Sequence, residues 1–106
     1  MTGFDDRERQ EETRFKHDQE LQFKARNRGN KLFGLWIAEQ LGLHGEDAEQ
    51  YARDIVMVDF QSPGDQDILT KVKGDLGAKS LTVSDHLLEK HLAECRTMAL
   101  EQIRTE

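Results

Sequence analysis

The sequence predicts an all-α protein, a small four-helix bundle with a long first helix and a mobile N-terminal arm. The composition favours helices, because Ala, Leu, Glu, Gln, Lys and Arg dominate and Pro63 is the only proline among 106 residues. β-Branched residues are scarce outside residues 55–58. Four segments with apolar residues at helical spacing are separated by short connections, which is typical of one bundle domain.

The N-terminal arm, residues 1–18, is too polar to form a core. Beyond Met1, its only large apolar side chains are Phe4 and Phe15, and charged residues of both signs fill most other positions. Acid–base pairs at a spacing of four stabilise a helix by only a few tenths of a kcal/mol each, so the arm is expected to be flexible when unbound. Residues 19–106 are expected to form the bundle.

The first helix is predicted to span residues 5–41. After the arm it carries apolar residues on two sides, so it should be the central helix of the fold. Trp36 lies in this part and is expected to be a core anchor. Glycine inside a helix costs about 1 kcal/mol relative to alanine. Gly29 and Gly34 are therefore expected either to permit close helix packing or to mark a bend.

The second and third helices each show one apolar face. The second is predicted over residues 46–59, and the third ends near Leu76. A capping box across residues 62–65, with Pro63 at the first helical position, would begin the third helix, whereas Gly64 favours a start at Asp65. The expected inward residues are Ala48, Tyr51, Ala52 and Ile55 in the second helix and Ile68, Leu69, Val72 and Leu76 in the third.

The fourth helix is expected to be capped by Thr82 or Ser84 and to reach about Arg104. Cys95 is the only cysteine, which excludes an intramolecular disulfide and fits a reducing compartment. His91 and Cys95 share a face, but two ligands make half a zinc site, so no metal is expected. The expected inward residues are Leu88, Leu92, Cys95, Ala99 and Ile103, flanked by Leu87, His91 and Met98.

Charge is distributed unevenly along the chain. Residues 1–31 carry eight Lys/Arg and seven Asp/Glu, whereas residues 32–106 carry seven and fourteen. An acidic body argues against nucleic-acid binding. The longest apolar run, residues 32–38, is too short to cross a bilayer, and the N-terminus lacks the apolar run of a signal peptide. We therefore expect a cytoplasmic protein without direct membrane insertion.

The one purely basic run spans residues 24–31. Its four cations are Lys24, Arg26, Arg28 and Lys31. They are candidates for contact with phosphates or with acidic groups of a partner, although a solvated helix face is the preferred interpretation, since the glycines of a nucleotide loop are missing. The sequence shows neither a nucleophile motif nor a set of metal ligands, so we expect a binding or regulatory protein without a cofactor, not an enzyme.

An ordered set of short motifs covers nearly the whole chain. From the N-terminus these are FDDRE, FKHD, FKA, NKLFGLW and LGL, followed by YA, DF, PGDQDIL and KVKGDL. On these motifs the sequence resembles the zeta subunit of the ATP synthase of alphaproteobacteria, an inhibitor of its ATPase activity. The set at fixed spacing carries the resemblance, since no single motif is diagnostic.

The resemblance implies a four-helix fold with a mobile inhibitory segment. That segment would enter the catalytic interface between the alpha and beta subunits of the ATP synthase head, become helical there and block rotation in the hydrolytic direction. The gamma subunit is a further candidate contact. The protein would then be associated with the membrane only through the ATP synthase. The arm residues expected to bind the partner are Phe4, Arg7, Arg9, Arg14, Phe15 and Lys16.

The chain departs from the family pattern at Glu11, where an aromatic residue commonly stands. An aromatic at this position would complete one helical stripe with Phe4 and Phe15, so the departure bears on the strength of inhibition. Two other functions stay open at this point. One is a helical adaptor or assembly factor whose arm binds another protein without inhibiting it. The other is a nucleotide-binding helical bundle that uses the basic run.

Overall fold

The chain forms four helices joined by short connections. The computed structural model describes the backbone of residues 2–106 and the side chains of residues 17–106. The helices are α1 (Thr2–Gln40), α2 (Gly45–Gln61), α3 (Asp65–Ala78) and α4 (Asp85–Thr105), and no strand occurs in the described residues. The prediction of an all-α bundle with a long first helix is confirmed. The division into an arm and a bundle at residues 18 and 19 stays a prediction.

Helix α1 is the central element, since α2 and α4 both pack along it and α3 closes the bundle against α2 and α4. The core residues come from the faces that apolar periodicity predicted. They are Phe33, Ile37, Ile55, Ile68, Leu69, Val72, Leu76, Leu88 and Leu92. Ala52 and Ala99 are also fully buried. Two flanking residues expected near the core, Leu87 and Met98, are instead exposed to solvent.

Trp36 packs against the core from its edge, so its predicted role as a core anchor is correct only in part. The indole is partly buried and stacks on the His91 ring of α4, with 3.9 Å between centroids and 15° between planes. The fully buried aromatic at the centre of the core is Phe33, whose ring centroid lies 6.1 Å from that of Trp36.

Two glycines bring α1 into backbone contact with its neighbours. A Cβ atom at Gly29 would lie 2.6 Å from the Cα atom of Arg96 in α4, and one at Gly34 would lie 2.7 Å from the Cα atom of Ala52 in α2. Both distances are too short for real atoms, so only glycine fits. The expected close packing is confirmed, and α1 continues through both positions as one helix.

The ends of the helices follow ordinary turn chemistry, with one correction. Gly42 adopts a φ of 78° and the Leu43 amide bonds back to the Ala38 carbonyl at 2.9 Å, which ends α1 as a glycine C-cap does. The N-cap of α4 is Ser84, whose Oγ accepts from the Leu87 amide at 3.2 Å. Of the two starts predicted for the third helix, Asp65 is correct and the capping box across residues 62–65 is wrong, because α3 begins at Asp65 after Gly64 without a side-chain cap.

Tyr51 links α2 to α3. Its hydroxyl donates to Asp75 Oδ2 at 2.7 Å, and the Lys71 ammonium lies 5.4 Å from the centre of its ring. Burial, followed by the hydrogen bond to Asp75, raises the pKa of the Tyr51 hydroxyl far above its ordinary value. The side chain is therefore a neutral donor at physiological pH, and its ring covers the edge of the core.

The close approach of α1 and α4 can be tested with Gly29→Ala. We expect it to lower the free energy of unfolding by about 1–2 kcal/mol, because overpacking costs about 1–3 kcal/mol and the better helix propensity of alanine returns less than that. Gly74→Ala is the matched control in α3, where a new Cβ meets no atom within 4 Å. It should stabilise by about 0.5–1 kcal/mol. Urea unfolding followed by circular dichroism measures both, and stabilisation by Gly29→Ala would contradict the contact.

Candidate partner-binding site

The predicted partner-binding residues of the arm lie outside the part of the chain whose side chains the structure describes. They are Phe4, Arg7, Arg9, Arg14, Phe15 and Lys16. What the structure does describe is the base of the arm. Residues 17–20 are all exposed, and Ala25 is the first of the described side chains of α1 to be buried in the bundle. The candidate site therefore begins where α1 enters the bundle.

At this entry point α1 is fixed to α2 by a buried carboxylate. Asp59 of α2 is only 6% exposed, and its two oxygens accept from Arg26 Nε at 2.7 Å and Arg26 Nη2 at 2.8 Å. The amide of Asn30, which is fully buried, donates to Asp59 Oδ2 at 2.8 Å. The Gly64 amide donates at 3.5 Å and completes the set. A bidentate arginine pair of this kind is among the strongest side-chain contacts.

The same network continues to α4 and α3. Arg96 of α4 donates from Nε and Nη2 to Asn30 Oδ1, at 3.1 and 2.9 Å. Its Nη1 donates to Asp65 Oδ1 at 2.8 Å, and Asp65 also accepts from Arg26 Nη2 at 3.3 Å. Two arginines, two aspartates and one asparagine thus join all four helices. Within the described residues every buried side-chain polar atom has a hydrogen-bond partner.

The charges of this network stabilise one another. Hydrogen bonds from Arg26 hold the pKa of Asp59 below its ordinary value, against the opposing effect of burial. The same hydrogen bond raises the pKa of Arg26. Asp59 and Arg26 are therefore both ionised at neutral pH, and the formal charges of the two arginines and two aspartates sum to zero. The network is a set of fixed ion pairs rather than a proton-transfer site.

Three of the four cations in the basic run form ion pairs with carboxylates of the chain itself. Arg26 pairs with Asp59, Arg28 pairs with Glu106 at the end of the chain, and Lys31 lies 3.3 Å from Glu49. The hydrogen bond from Arg28 lowers the pKa of Glu106. Lys24, the fourth cation, is exposed. Contact of these residues with phosphates or acidic partner groups stays a prediction, and internal carboxylates would compete with such ligands at three of the four positions.

Two phenylalanines at the entry point are exposed, and sequence reasoning selected neither as a site residue. Phe23 of α1 is 53% exposed and Phe60 of α2 is 62% exposed. Their rings meet edge to face, with 6.3 Å between centroids. We call these two residues the aromatic patch. One feature of the sequence could have identified Phe60. It lies off the apolar face of its helix, where the core does not need an aromatic residue.

In residues 17–106 no group of three or more His, Cys, Asp or Glu side chains could hold a metal ion. His91 stacks on Trp36, and burial raises the pKa of the Cys95 thiol, so this cysteine is protonated at neutral pH. Over the described part of the chain, each helix is too polar or too short to cross a bilayer.

Comparison with known proteins finds a matching family model and similar solved structures. The protein-family model described as ATPase inhibitor subunit zeta matches residues 1–102. A structure solved by solution NMR is similar to this chain at 38% sequence identity and a TM-score of 0.70, covering 80% of this chain and 96% of that one. No curated protein matches significantly.

The contribution of Asp59 to the unfolding free energy can be tested by replacing it with alanine. Asp59→Ala leaves the buried Asn30 amide and Arg26 without their acceptor, so we expect a loss of about 3 kcal/mol of unfolding free energy at neutral pH. Asp54→Ala is the control on the same helix, because Asp54 is exposed and its bond to Gln50 is local. That change should stay within about 0.5 kcal/mol.

The destabilisation caused by Asp59→Ala is also expected to depend on pH. The folded-state pKa of Asp59 lies below its unfolded value near pH 4, so its contribution is complete above that pH and is lost as the pH falls through the folded-state pKa. The difference between wild type and Asp59→Ala should therefore shrink steadily below about pH 4. Urea unfolding over this range measures it, and a difference that does not change with pH would show that the carboxylate charge is unimportant.

Proposed function

The chain belongs to the family of ATPase inhibitor zeta subunits, and from this premise we propose that it inhibits ATP hydrolysis by an F-type ATP synthase through its N-terminal arm. The arm would enter the catalytic interface between the alpha and beta subunits of the head, close to the gamma subunit, and block rotation in the hydrolytic direction. The protein would act as a regulator without a cofactor of its own, in the cytoplasm, at a membrane-attached enzyme.

The observation that carries the proposal is the continuity of α1. One helix of 39 residues includes both the arm and the centre of the bundle. At 1.5 Å per residue such a helix is about 58 Å long. The arm and the bundle are thus joined by one continuous helix. A cleft that encloses the arm would contact the other helices where they pack against α1.

The network at the base of the arm supports a mechanical role. Arg26 and Asn30, both on α1, are tied to Asp59 of α2 and to Arg96 of α4. A force applied along or across the arm would pass into these helices instead of unwinding α1 at the entry point. An inhibitor that must resist a turning rotor needs such an anchor.

Within the arm, aromatic and charged side chains would have different tasks. Phe4 and Phe15 would enter desolvated pockets, since buried aromatic residues commonly dominate interface energies. The cations would pair with acidic groups of the head and fix the register of the arm. Because its local ion pairs stabilise the helix of the arm only weakly, part of the binding free energy would be spent on holding that helix, which suits reversible regulation. The cations in question are Arg7, Arg9, Arg14 and Lys16.

The two other functions have less support. A nucleotide-binding bundle would use the basic run, but Arg26, Arg28 and Lys31 already lie beside carboxylates of the chain. An adaptor or assembly factor would bind the ATP synthase without slowing hydrolysis. Adding the protein to a purified ATP synthase head and measuring ATP hydrolysis separates inhibition from both.

A protein that begins at Gln19 tests the division into arm and bundle. We expect it to keep a cooperative helical melt with little change in midpoint, because the core residues that the structure describes lie after that position and the arm sequence is polar. It should lose inhibition of ATP hydrolysis, since the aromatic and basic residues of the arm are gone. Full-length protein is the reference in both measurements. A large drop in the melting midpoint would show that the arm contributes to the stability of the bundle.

Phe15→Ala tests the aromatic contribution to inhibition. A desolvated aromatic anchor contributes about 2 kcal/mol or more, so the half-inhibitory concentration should rise roughly thirtyfold while the melt stays unchanged. Arg14→Ala is the neighbouring control and should have a smaller effect, because exposed ion pairs contribute about 1 kcal/mol or less. Glu11→Phe should strengthen inhibition by completing the aromatic stripe. Wild-type inhibition by Phe15→Ala together with its loss in Arg14→Ala would indicate charge recognition instead.

A further inference from the structure

Phe60 is the most exposed large apolar side chain in the described part of the chain, at 62%. Phe23, in edge-to-face contact with it, is 53% exposed. Met57 precedes Phe60 by three residues on α2 and is 50% exposed, so it extends the same helix face. Contiguous exposed apolar groups on a folded protein commonly mark a place where another molecule binds.

The aromatic patch is held in a fixed geometry. Phe60 follows Asp59 directly, and Phe23 lies one helical turn before Arg26, so the Arg26–Asp59 ion pair fixes the two helix segments that carry the aromatic residues. A groove of about 360 Å³ is lined by the two phenylalanines together with Arg26, Asn27, Asp59 and Pro63. The Arg26 and Asp59 charges in this lining are paired with each other, which suits an apolar occupant. A preformed surface also loses little conformational entropy on binding.

The aromatic patch follows the arm directly along α1. Phe15 and Phe23 are eight residues apart, which corresponds to about 12 Å along the helix axis. Of the residues between them whose side chains the structure describes, 17–22, all except the partly buried Leu21 are exposed. The end of α4, at Ile103 and Arg104, lies along one side of this stretch. A partner that binds the arm can therefore continue along the exposed side of α1 to Phe23. The first part of α2 that it would then meet is the region of Phe60.

From these observations we infer that the aromatic patch is a second contact with the ATP synthase head, seated on an apolar rim of the cleft that receives the arm. This inference rests on the proposed function and adds a partner surface to it. The arm would inhibit hydrolysis, whereas Phe23 and Phe60 would bind the bundle at the entrance of the cleft and lower the dissociation rate of the protein. Two linked contacts bind more tightly than either alone, because the second forms at a high effective concentration.

The test uses full-length Phe60→Ala and Phe23→Ala. Met98→Ala is the matched control, since Met98 on α4 is 52% exposed and belongs to a different surface. For each protein, three quantities are measured: inhibition of ATP hydrolysis by the purified head, association and dissociation rates on the immobilised head, and the melting midpoint. Sedimentation velocity of the free proteins reports whether they self-associate.

We expect Phe60→Ala and Phe23→Ala each to raise the half-inhibitory concentration about tenfold, mainly through faster dissociation, with the melting midpoint unchanged. Saturating amounts should still inhibit fully, because the arm is intact. Met98→Ala should behave as wild type. Wild-type inhibition and dissociation by both phenylalanine variants would overturn the second contact while leaving the proposed function in place.

The remaining outcomes separate the inference from its premise. If wild type binds the head without inhibiting hydrolysis and Phe60→Ala dissociates faster, the proposed function is wrong and the contact surface stands. If wild type neither binds nor inhibits, both are wrong. If Phe60→Ala converts a self-associated species into a monomer and its binding to the head is unchanged, the aromatic patch faces a second copy of this chain, and the inference is overturned.

Discussion

The arrangement of the four helices depends on one buried carboxylate. Asp59 is almost inaccessible to water, and a carboxylate in such a place is tolerated only when its charge and its lone pairs are satisfied. Arg26 and Asn30 meet that requirement from α1, and Arg96 connects Asn30 to α4. Apolar packing alone would permit α1 to slide or rotate by small steps. The directional bonds around Asp59 select one register between the helices.

Gly29 and Gly34 of α1 allow the helices to approach closely enough to adopt that register. Gly29 precedes Asn30, and a side chain there would strike the backbone of Arg96. The same residue of α4 therefore makes a backbone contact with one position of α1 and a hydrogen-bonded contact with the next. Gly34 has the equivalent relation to Ala52 of α2. Loss of helix propensity at two positions is thus offset by close packing on both sides of the central helix.

The helices and the core were predictable from the sequence, whereas the network was not. Apolar periodicity locates Ile55, Ile68 and Leu88 in the core, because a helix buries residues three or four apart. Arg26, Asp59 and Arg96 instead look like solvated charges, since no neighbouring residue in the sequence identifies a partner for them. Their partners are 33 and 66 positions away, and no local pattern connects them. The difference between Trp36 and Phe33 was also unpredictable, because both lie on apolar stripes of α1.

Motifs that look unrelated along the chain meet at one place in the fold. Phe23 belongs to FKA, Asn30 to NKLFGLW, Phe60 to DF and Asp65 to PGDQDIL. The structure brings all four to the point where α1 enters the bundle. Together they form a rigid junction with an exposed aromatic surface.

The two parts of α1 need opposite physical properties, and their charges are distributed accordingly. In the arm the sequence offers acid–base pairs at a spacing of four, which stabilise a helix only weakly. From Arg26 onward the charged residues pair across helices, with Asp59, Glu106 and Glu49. A segment that must order on a partner benefits from local, weak pairs, because they leave its apolar side chains free for that partner. A segment that must hold its position benefits from long-range pairs. The change from one kind of pairing to the other occurs within two turns of Phe23, so it coincides with the aromatic patch.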